Sequence, residues 1–296
     1  MSDFIKKMFY KQRDDFKKLC AERDTRLYMP DSVDVISDIS YNNDGLKEHR
    51  LDVYRPSDKK DETLPVIVNI HGGGLIMGNK EFNKYFCGRL CSMGFIVYSI
   101  EYCLVPEHNF YEQLNDSVTA MNYIGGRIVQ DGGDLNHVYA VADSGGANLL
   151  VYNVALSGNN NMAKDLSIKP SDLHFNALGL ISGMFYTTKF DGIGLFLPPY
   201  LYGKKYRKSS FYPYIKPDKS PVIDSLPPCY LVTSHNDNLQ HYTLQFEKAL
   251  RIHNIPCKLD NFAKHSKLTH AFSVFEPFLP ESTLVLESMT NFLKLY

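Results

Sequence analysis

The sequence predicts an α/β fold, a mostly parallel central sheet flanked by helices, and three observations carry that expectation. Strand-like and helix-like segments alternate along most of the chain, as parallel strands joined by crossover helices require. The run Val66-Ile67-Val68-Asn69-Ile70 is almost wholly apolar, the signature of a strand buried on both faces. Directly behind it stand His71-Gly72-Gly73-Gly74, and a second short turn, Ala142-Asp143-Ser144-Gly145-Gly146, follows the apolar run at 138–141. In open sheets of this kind, ligands sit beyond the carboxyl ends of the strands, so a single face can hold both turns.

The elements follow in order. Over about the first 30 residues Phe4, Ile5, Met8, Phe9, Phe16 and Leu19 recur at helical spacing among charged residues, and Pro30 closes the helix. From 33 to 54 short alternating runs suit an edge pair of strands, ending in Arg50-Leu51-Asp52-Val53-Tyr54 before Arg55-Pro56. After the strand at 66–70 come a helix around 85–93, a strand at 95–100, a helix at 111–128 and a strand at 138–141. A helix at 147–156 and a strand at 177–181 continue the pattern.

From 182 to about 226 periodicity disappears, and this stretch carries ten aromatics: Phe185, Tyr186, Phe190, Phe196, Tyr200, Tyr202, Tyr206, Phe211, Tyr212 and Tyr214. It is too long for a bare connection inside a compact domain and enters on the ligand face, so a lid packed with the N-terminal helix is expected. A strand at 230–233, a helix at 242–253, a strand at 257–261 and an amphipathic helix at 283–295 complete the chain. The expectation is a single domain over 1–296 with a cap formed by about 1–35 and 183–226.

Composition bounds the function. Hydrophobic residues make up 44% and charged residues 22% of the 296, the balance of an ordinary globular protein. With 32 Lys plus Arg against 33 Asp plus Glu, a net charge of −1 gives no electrostatic case for nucleic acid or an anionic membrane. The densest basic stretch, Lys204-Lys205-Tyr206-Arg207-Lys208, reads as a solvated loop. Cys20, Cys87, Cys91, Cys103, Cys229 and Cys257 form no C-x-x-C pair and no Cys/His spacing that builds a zinc site. Cys87 and Cys91 share one helix face and read as buried thiols. No segment reaches 18 uninterrupted apolar residues, and the N-terminus has no apolar signal core. The expected setting is reduced, cytoplasmic and soluble, without metal or organic cofactor. The oligomeric state is left open, a homodimer being compatible with it.

The two turns are halves of an acyl-transfer site. Glycine lets backbone N–H groups crowd around an anion, because a Cβ would block both the strained dihedrals and the approach. With glycine near 7% of residues, ten histidines yield roughly 0.003 chance cases of His followed by three Gly. Serine is a poor nucleophile until a base takes its proton, and that base needs an acid to fix its tautomer. On a strand-to-helix nucleophile turn these follow in the order Ser, Asp or Glu, His. Asp237 lies just past the strand at 230–233, and His270 lies in the loop after the last strand. Of ten histidines, His265 in that same loop is the rival to His270.

Together these residues resemble the hormone-sensitive-lipase branch of the α/β-hydrolases, carboxylesterases with an H-G-G-G loop. That family reads H-G-G-G, D-Y-R-L-A-P-E, G-D-S-A-G-G-N-L, D-P-L and H-G-F in order. Here stand His71-Gly72-Gly73-Gly74, Glu101-Tyr102-Cys103-Leu104-Val105-Pro106-Glu107, Ala142-Asp143-Ser144-Gly145-Gly146-Ala147-Asn148-Leu149, Asp237-Asn238-Leu239 and His270-Ala271-Phe272. The likeness spans residue 45 or so to the C-terminus and favours His270 over His265. Ala142 replaces the first Gly of the elbow, and Gly145 replaces Ala after the nucleophile, a change expected to loosen one oxyanion donor.

The resemblance implies hydrolysis of short- to medium-chain carboxylic esters through an acyl-enzyme. Ser144 is then the nucleophile, His270 the base, Asp237 the orienting acid, and the amides of Gly73, Gly74 and Gly145 the oxyanion hole. The expected partner is a small-molecule ester. An amidase, peptidase or acyltransferase on the same scaffold, a non-catalytic ligand receptor and a lipase acting on aggregated lipid are the alternatives.

Overall fold

The computed structural model describes residues 3–296; Met1 and Ser2, which open the expected N-terminal helix and cap, lie outside the described residues. The strands are β1 (Val33–Ser40), β2 (Arg50–Pro56), β3 (Leu64–Ile70), β4 (Ile96–Ile100), β5 (Gly133–Asp143), β6 (Leu178–Ile181), β7 (Cys229–Ser234) and β8 (Cys257–Phe262). They form one 8-stranded sheet in the order β1-β2-β4-β3-β5-β6-β7-β8. β2 pairs antiparallel with both β1 and β4, while β4 through β8 run parallel.

Helices alternate with the strands: α1 (Asp3–Asp24), α2 (Lys84–Ser92), α3 (Phe110–Gly125), α4 (Ser144–Gly158), α5 (Asn160–Leu166), α6 (Gly192–Phe196), α7 (Pro198–Leu201), α8 (Gln240–Ile252), α9 (Phe272–Phe275) and α10 (Pro280–Leu293). Local chemistry sets several starts. Asn109 caps α3 through a capping box with Glu112, and Pro280 sits in the first turn of α10 where its missing N–H costs nothing.

Strand periodicity divides the core in two. Val66, Val68 and Ile70 face one cluster with Phe110, Leu114 and Met121 of α3, Leu149 and Tyr152 of α4, and Phe246 of α8. Ile67 points the other way, into a cluster with Phe86 and Leu90 of α2 and Leu286 and Met289 of α10. Cys87 and Cys91 are both buried in that second cluster. α1 spans the two: Phe9 packs in the first and Phe16 against the second, so the helix lies across an edge of the sheet.

Two boundaries and two short helices depart most from the sequence reading. α1 stops at Asp24 rather than at Pro30, and the released chain presses Met29 and Pro30 onto Gly88 of α2. β5 begins at Gly133; its front half, Asp134 to His137, is solvated and carries no apolar signature. The short α5 and α9 have no readable period at all.

The stretch from 182 to 226 holds α6, α7 and three single turns of 3-10 helix. Its Tyr202 and Phe211 join Phe110 and Tyr152 in an aromatic cluster, and the Tyr152 hydroxyl donates to the Tyr214 carbonyl at 2.9 Å. Each such ring pair contributes about 0.5–1.5 kcal/mol beyond area burial, enough together to anchor a segment without long helices. Phe9 of α1 meets Tyr200 edge-on at 5.0 Å, which joins this stretch to the N-terminal helix. Lys204, Lys205, Arg207 and Lys208 are exposed. No helix among the described residues is long and apolar enough to cross a membrane.

Candidate active site

Parallel register brings the two glycine-rich turns together. Ile70 at the end of β3 lies beside Ala142 at the end of β5, so the chain leaves both strands at adjacent points on the carboxyl edge. Ser144 follows β5 immediately and takes φ +47 as the first residue of α4. A non-glycine residue in the left-handed region is strained, and the sharp reversal lifts its hydroxyl clear of the sheet.

The glycine loop closes against this turn. Gly73 and Gly74 have φ of +110° and +63°. A Cβ on Gly145 would come within 2.9 Å of the Gly74 amide nitrogen and 2.8 Å of that of Leu75. Glycine at 145 thus permits a close backbone approach that the family's alanine would oppose. Among the described residues nothing accepts a backbone hydrogen bond from the Gly73 or Gly74 amide, and both residues line the adjoining cavity.

On the far side, β7 and β8 pair from Cys229↔Cys257 to Ser234↔Phe262, and a lone bridge joins Asn236 to Thr269 beyond them. Asp237 and His270 are the next residues on each chain. His270 Nδ1 lies 2.7 Å from Asp237 Oδ1, and His270 Nε2 lies 2.8 Å from Ser144 Oγ. His265 is exposed, with its ring facing the Lys267 amide. The structure thus unites Ser144, Asp237, His270, Gly73, Gly74 and Gly145 and leaves His265 aside.

Asp237 is fixed before it meets the imidazole. Its carboxylate accepts from the Thr233 hydroxyl and the Leu239 amide, both at 2.8 Å. Burial alone would raise its pKa, but the hydrogen bond and charge of His270, aided by the Leu239 amide, hold it below the ordinary carboxylate value. An anion in this position can set the Nδ1–H tautomer and leave Nε2 free to accept from the serine hydroxyl.

Sequence reading misses a layer beneath the loop. Asp143 Oδ1 accepts from the Gly72 amide and from Asn83 Nδ2, both at 2.9 Å. Burial raises this carboxyl, and Asn83 and His71 oppose the rise. His71 is fully buried with Nδ1 2.7 Å from the Gly72 carbonyl and Nε2 2.9 Å from Glu101 Oε1. Only an imidazolium can donate to two acceptors; burial opposes that charge, and Glu101 overcomes it, so the pKa is raised. From α1, Arg13 donates to the carbonyls of Ile76 and Val105, both at 2.6 Å, and pairs with Glu107. Glu101, Glu107 and Asp143 sit in quoted motifs, though without a role assigned to them there; Arg13 had no signal beyond its neighbours.

The cavity beside Ser144 measures about 660 Å³. Met8, Phe9, Phe16 and Leu19 of α1 form one wall and Ile193 and Phe196 another. Of the ten aromatics in 182–226, Phe196 lines it; five others are buried elsewhere as packing.

Comparison with known proteins agrees with this architecture. Residues 67–273 match the family described as alpha/beta hydrolase fold. Carboxylesterase NlhH of Mycobacterium tuberculosis is 27% identical over 233 residues, 74% of this chain and 70% of that protein. Versiconal hemiacetal acetate esterase of Dothistroma septosporum is 25% identical over 253 residues, 76% of this chain and 71% of its own length. Esterase B of Lactobacillus rhamnosis superposes with a TM-score of 0.89 at 20% identity, covering 98% of this chain and 95% of that one, a likeness of fold. The chain belongs to the α/β-hydrolase fold family, in the branch marked by the His-Gly-Gly-Gly loop.

Proposed function

We propose that this chain is a serine carboxylesterase that cleaves short- to medium-chain esters through an acyl-enzyme. The observation that carries the reading is the unbroken chain from Ser144 Oγ through His270 to Asp237, at 2.8 and 2.7 Å, beside the Gly73 and Gly74 amides. The curated relatives named above are esterases, which supports the same chemistry.

Ser144 Oγ attacks the ester carbonyl carbon while His270 Nε2 takes its proton, and the ionised Asp237 stabilises the imidazolium. The carbonyl oxygen becomes an oxyanion held by the amides of Gly73, Gly74 and Gly145, each worth about 3–4 kcal/mol of barrier by comparison with measured oxyanion holes. The tetrahedral intermediate collapses, His270 gives its proton to the departing alcohol, and an acyl-serine remains. Water, deprotonated by His270, then attacks the acyl carbon; the bond from that carbon to Ser144 Oγ breaks, His270 returns the proton to Oγ, and the acid leaves. The buried Asp143 and the His71–Glu101 pair hold the amides in place through both half-reactions.

The cavity, walled largely by apolar side chains, takes the acyl chain, and residues of about 1–35 and 183–226 act as the cap of a single hydrolase domain. All six cysteines are free, which supports a reducing, cytoplasmic setting.

The test is a chain-length series of p-nitrophenyl esters, with p-nitroanilides of the same acyl groups alongside. The expected result is saturable ester turnover peaking at short or medium chains, with fluorophosphonate labelling Ser144. Anilide turnover equal to ester turnover moves the assignment to an amidase, and failure to label Ser144 removes the serine from the mechanism.

A further inference from the structure

Away from Ser144, three buried side chains of three different types converge. His49 lies in the connection between β1 and β2, Cys103 follows β4, and Asp116 is on α3. His49 Nε2 is 3.1 Å from Asp116 Oδ1 and 3.9 Å from Cys103 Sγ, and the three ligand atoms all lie within 4.8 Å of one another. A tetrahedral zinc with ligands at 2.0–2.3 Å separates N, O and S donors by about 3.3–3.6 Å. The observed triangle needs to adjust by only a few tenths of an ångström on most edges to accept one.

We propose that His49, Cys103 and Asp116 form a zinc-binding site, with water in the fourth position. The donor set is one imidazole nitrogen, one thiol and one carboxylate, and the thiolate discriminates against magnesium and calcium.

The surrounding shell is arranged for a cation. The Asp44 carboxylate faces His49 Nδ1, so the ring can donate there and turn its Nε2 lone pair inward, the carboxylate–histidine–metal relay. Asp116 Oδ2 accepts from the Cys103 amide at 3.0 Å, which leaves Oδ1 for the ion. The buried Asp116 and the exposed Asp44 flank the buried imidazole on its two nitrogens, and Glu48 and Glu112 add to the negative field at Cys103. Burial and Asp116 keep the thiol protonated in that field. A divalent cation reverses the balance: the Sγ–Zn bond forms and the thiol proton leaves to solvent. Cys103 also stands where the resembling motif carries arginine, so this chain has a thiol beside Asp116 where that pattern has a cation.

No sequence spacing reveals such a site, because each ligand comes from a different element. The expectation of no metal rested on spacing, and this proposal revises it. The role is structural. Gln113 Nε2 donates to the carbonyls of Cys103 at 2.8 Å and Leu75 at 2.9 Å, linking the site to the end of the glycine loop.

The experiment uses the full chain, stripped with chelator, desalted, and titrated with Zn2+ and separately with Co2+. The expected results are one zinc per chain, a melting temperature that rises by several degrees, and a thiolate-to-cobalt charge-transfer band. Asp44→Asn should weaken binding by about 10- to 100-fold. Cys103→Ser and His49→Gln should abolish the stoichiometric uptake and the band while fluorophosphonate still labels Ser144. Where a variant does not fold, the wild-type cobalt spectrum decides. A wild type without the thiolate band, or zinc uptake unchanged in Cys103→Ser, overturns the site.

Discussion

The Gly72 amide donates to the Asp143 carboxylate at 2.9 Å across 71 residues of chain, which fastens the glycine loop to the residue preceding Ser144. Asn83 Nδ2 shares the same oxygen at 2.9 Å. The Asp143 carboxyl therefore sets the distance between the proposed nucleophile and the proposed oxyanion donors.

Asp143→Ala and Asp143→Asn should separate on that account. Alanine orphans two buried donors, at about 1–3 kcal/mol each, and frees the loop. We expect kcat to fall about 10- to 100-fold with a clear loss of melting temperature, since small misplacements at a reacting centre cost that much. Asparagine keeps an acceptor oxygen for both donors, so its loss should be much smaller. Equal losses in steady-state kinetics would contradict the clamp.

Ser144 carries the backbone strain of φ +47. Ser144→Ala keeps the Cβ and the strain, so turnover should drop by about 10⁶ with the melting curve unchanged. Ser144→Gly is equally inactive but removes the Cβ, and calorimetry should find it more stable by about 1 kcal/mol. A glycine variant no more stable than the alanine variant rules the strain out.

Asp237 should reveal itself in the pH dependence of stability. Its pKa is lowered in the fold, so the ionised group contributes stability that is complete above the ordinary unfolded value of about 3.9. That contribution is lost as pH falls through the lower folded value. The gap in unfolding free energy between wild type and Asp237→Asn, measured by urea titration, should shrink as pH drops below about 4. At neutral pH the same variant should lose about 10⁴ in kcat, the size seen in measured triads. A gap that is constant from pH 7 to 2 excludes this linkage.

Gly145→Ala restores the residue that the family pattern carries, yet here it should be harmful. The new Cβ would press on the backbone of Gly74 and Leu75 at 2.8–2.9 Å. The expected result is a kcat about 10- to 100-fold lower with KM little changed, because a transition-state contact is displaced. Unchanged kcat would mean that the loop moves without consequence.

Arg13 ties α1 to the glycine loop through Ile76 and to the 105–107 segment. Arg13→Ala should raise KM more for longer acyl chains than for acetate, because α1 supplies the wall of the cavity. A stability loss of about 1–2 kcal/mol is expected from the lost hydrogen bonds. A uniform effect across chain length would remove the helix from substrate binding.

Much of this architecture is legible in the sequence, and the failures are informative. Apolar runs mark β3, β4 and β7 because strands buried on both faces leave no room for polar residues. The front of β5 is illegible because solvent covers it. The aromatics of 182–226 announce an apolar cluster but not its address: Tyr202 and Phe211 pack on Phe110, while Phe196 alone of the ten reaches the cavity. His265 and His270 lie in one loop, and the bridge from Asn236 to Thr269 selects between them.

The sequence by itself determines the alternation of strand and helix, the glycine turns at strand ends, and the order Ser144, Asp237, His270. These are local quantities, set by side-chain periodicity and by the dihedrals that glycine alone tolerates. Only the tertiary structure decides which side chains meet. Strand register fixes where each loop leaves the sheet, and a hydrogen bond between residues 126 positions apart forms or fails within a few tenths of an ångström. The same holds for His49, Cys103 and Asp116, whose convergence depends on packing that no spacing records.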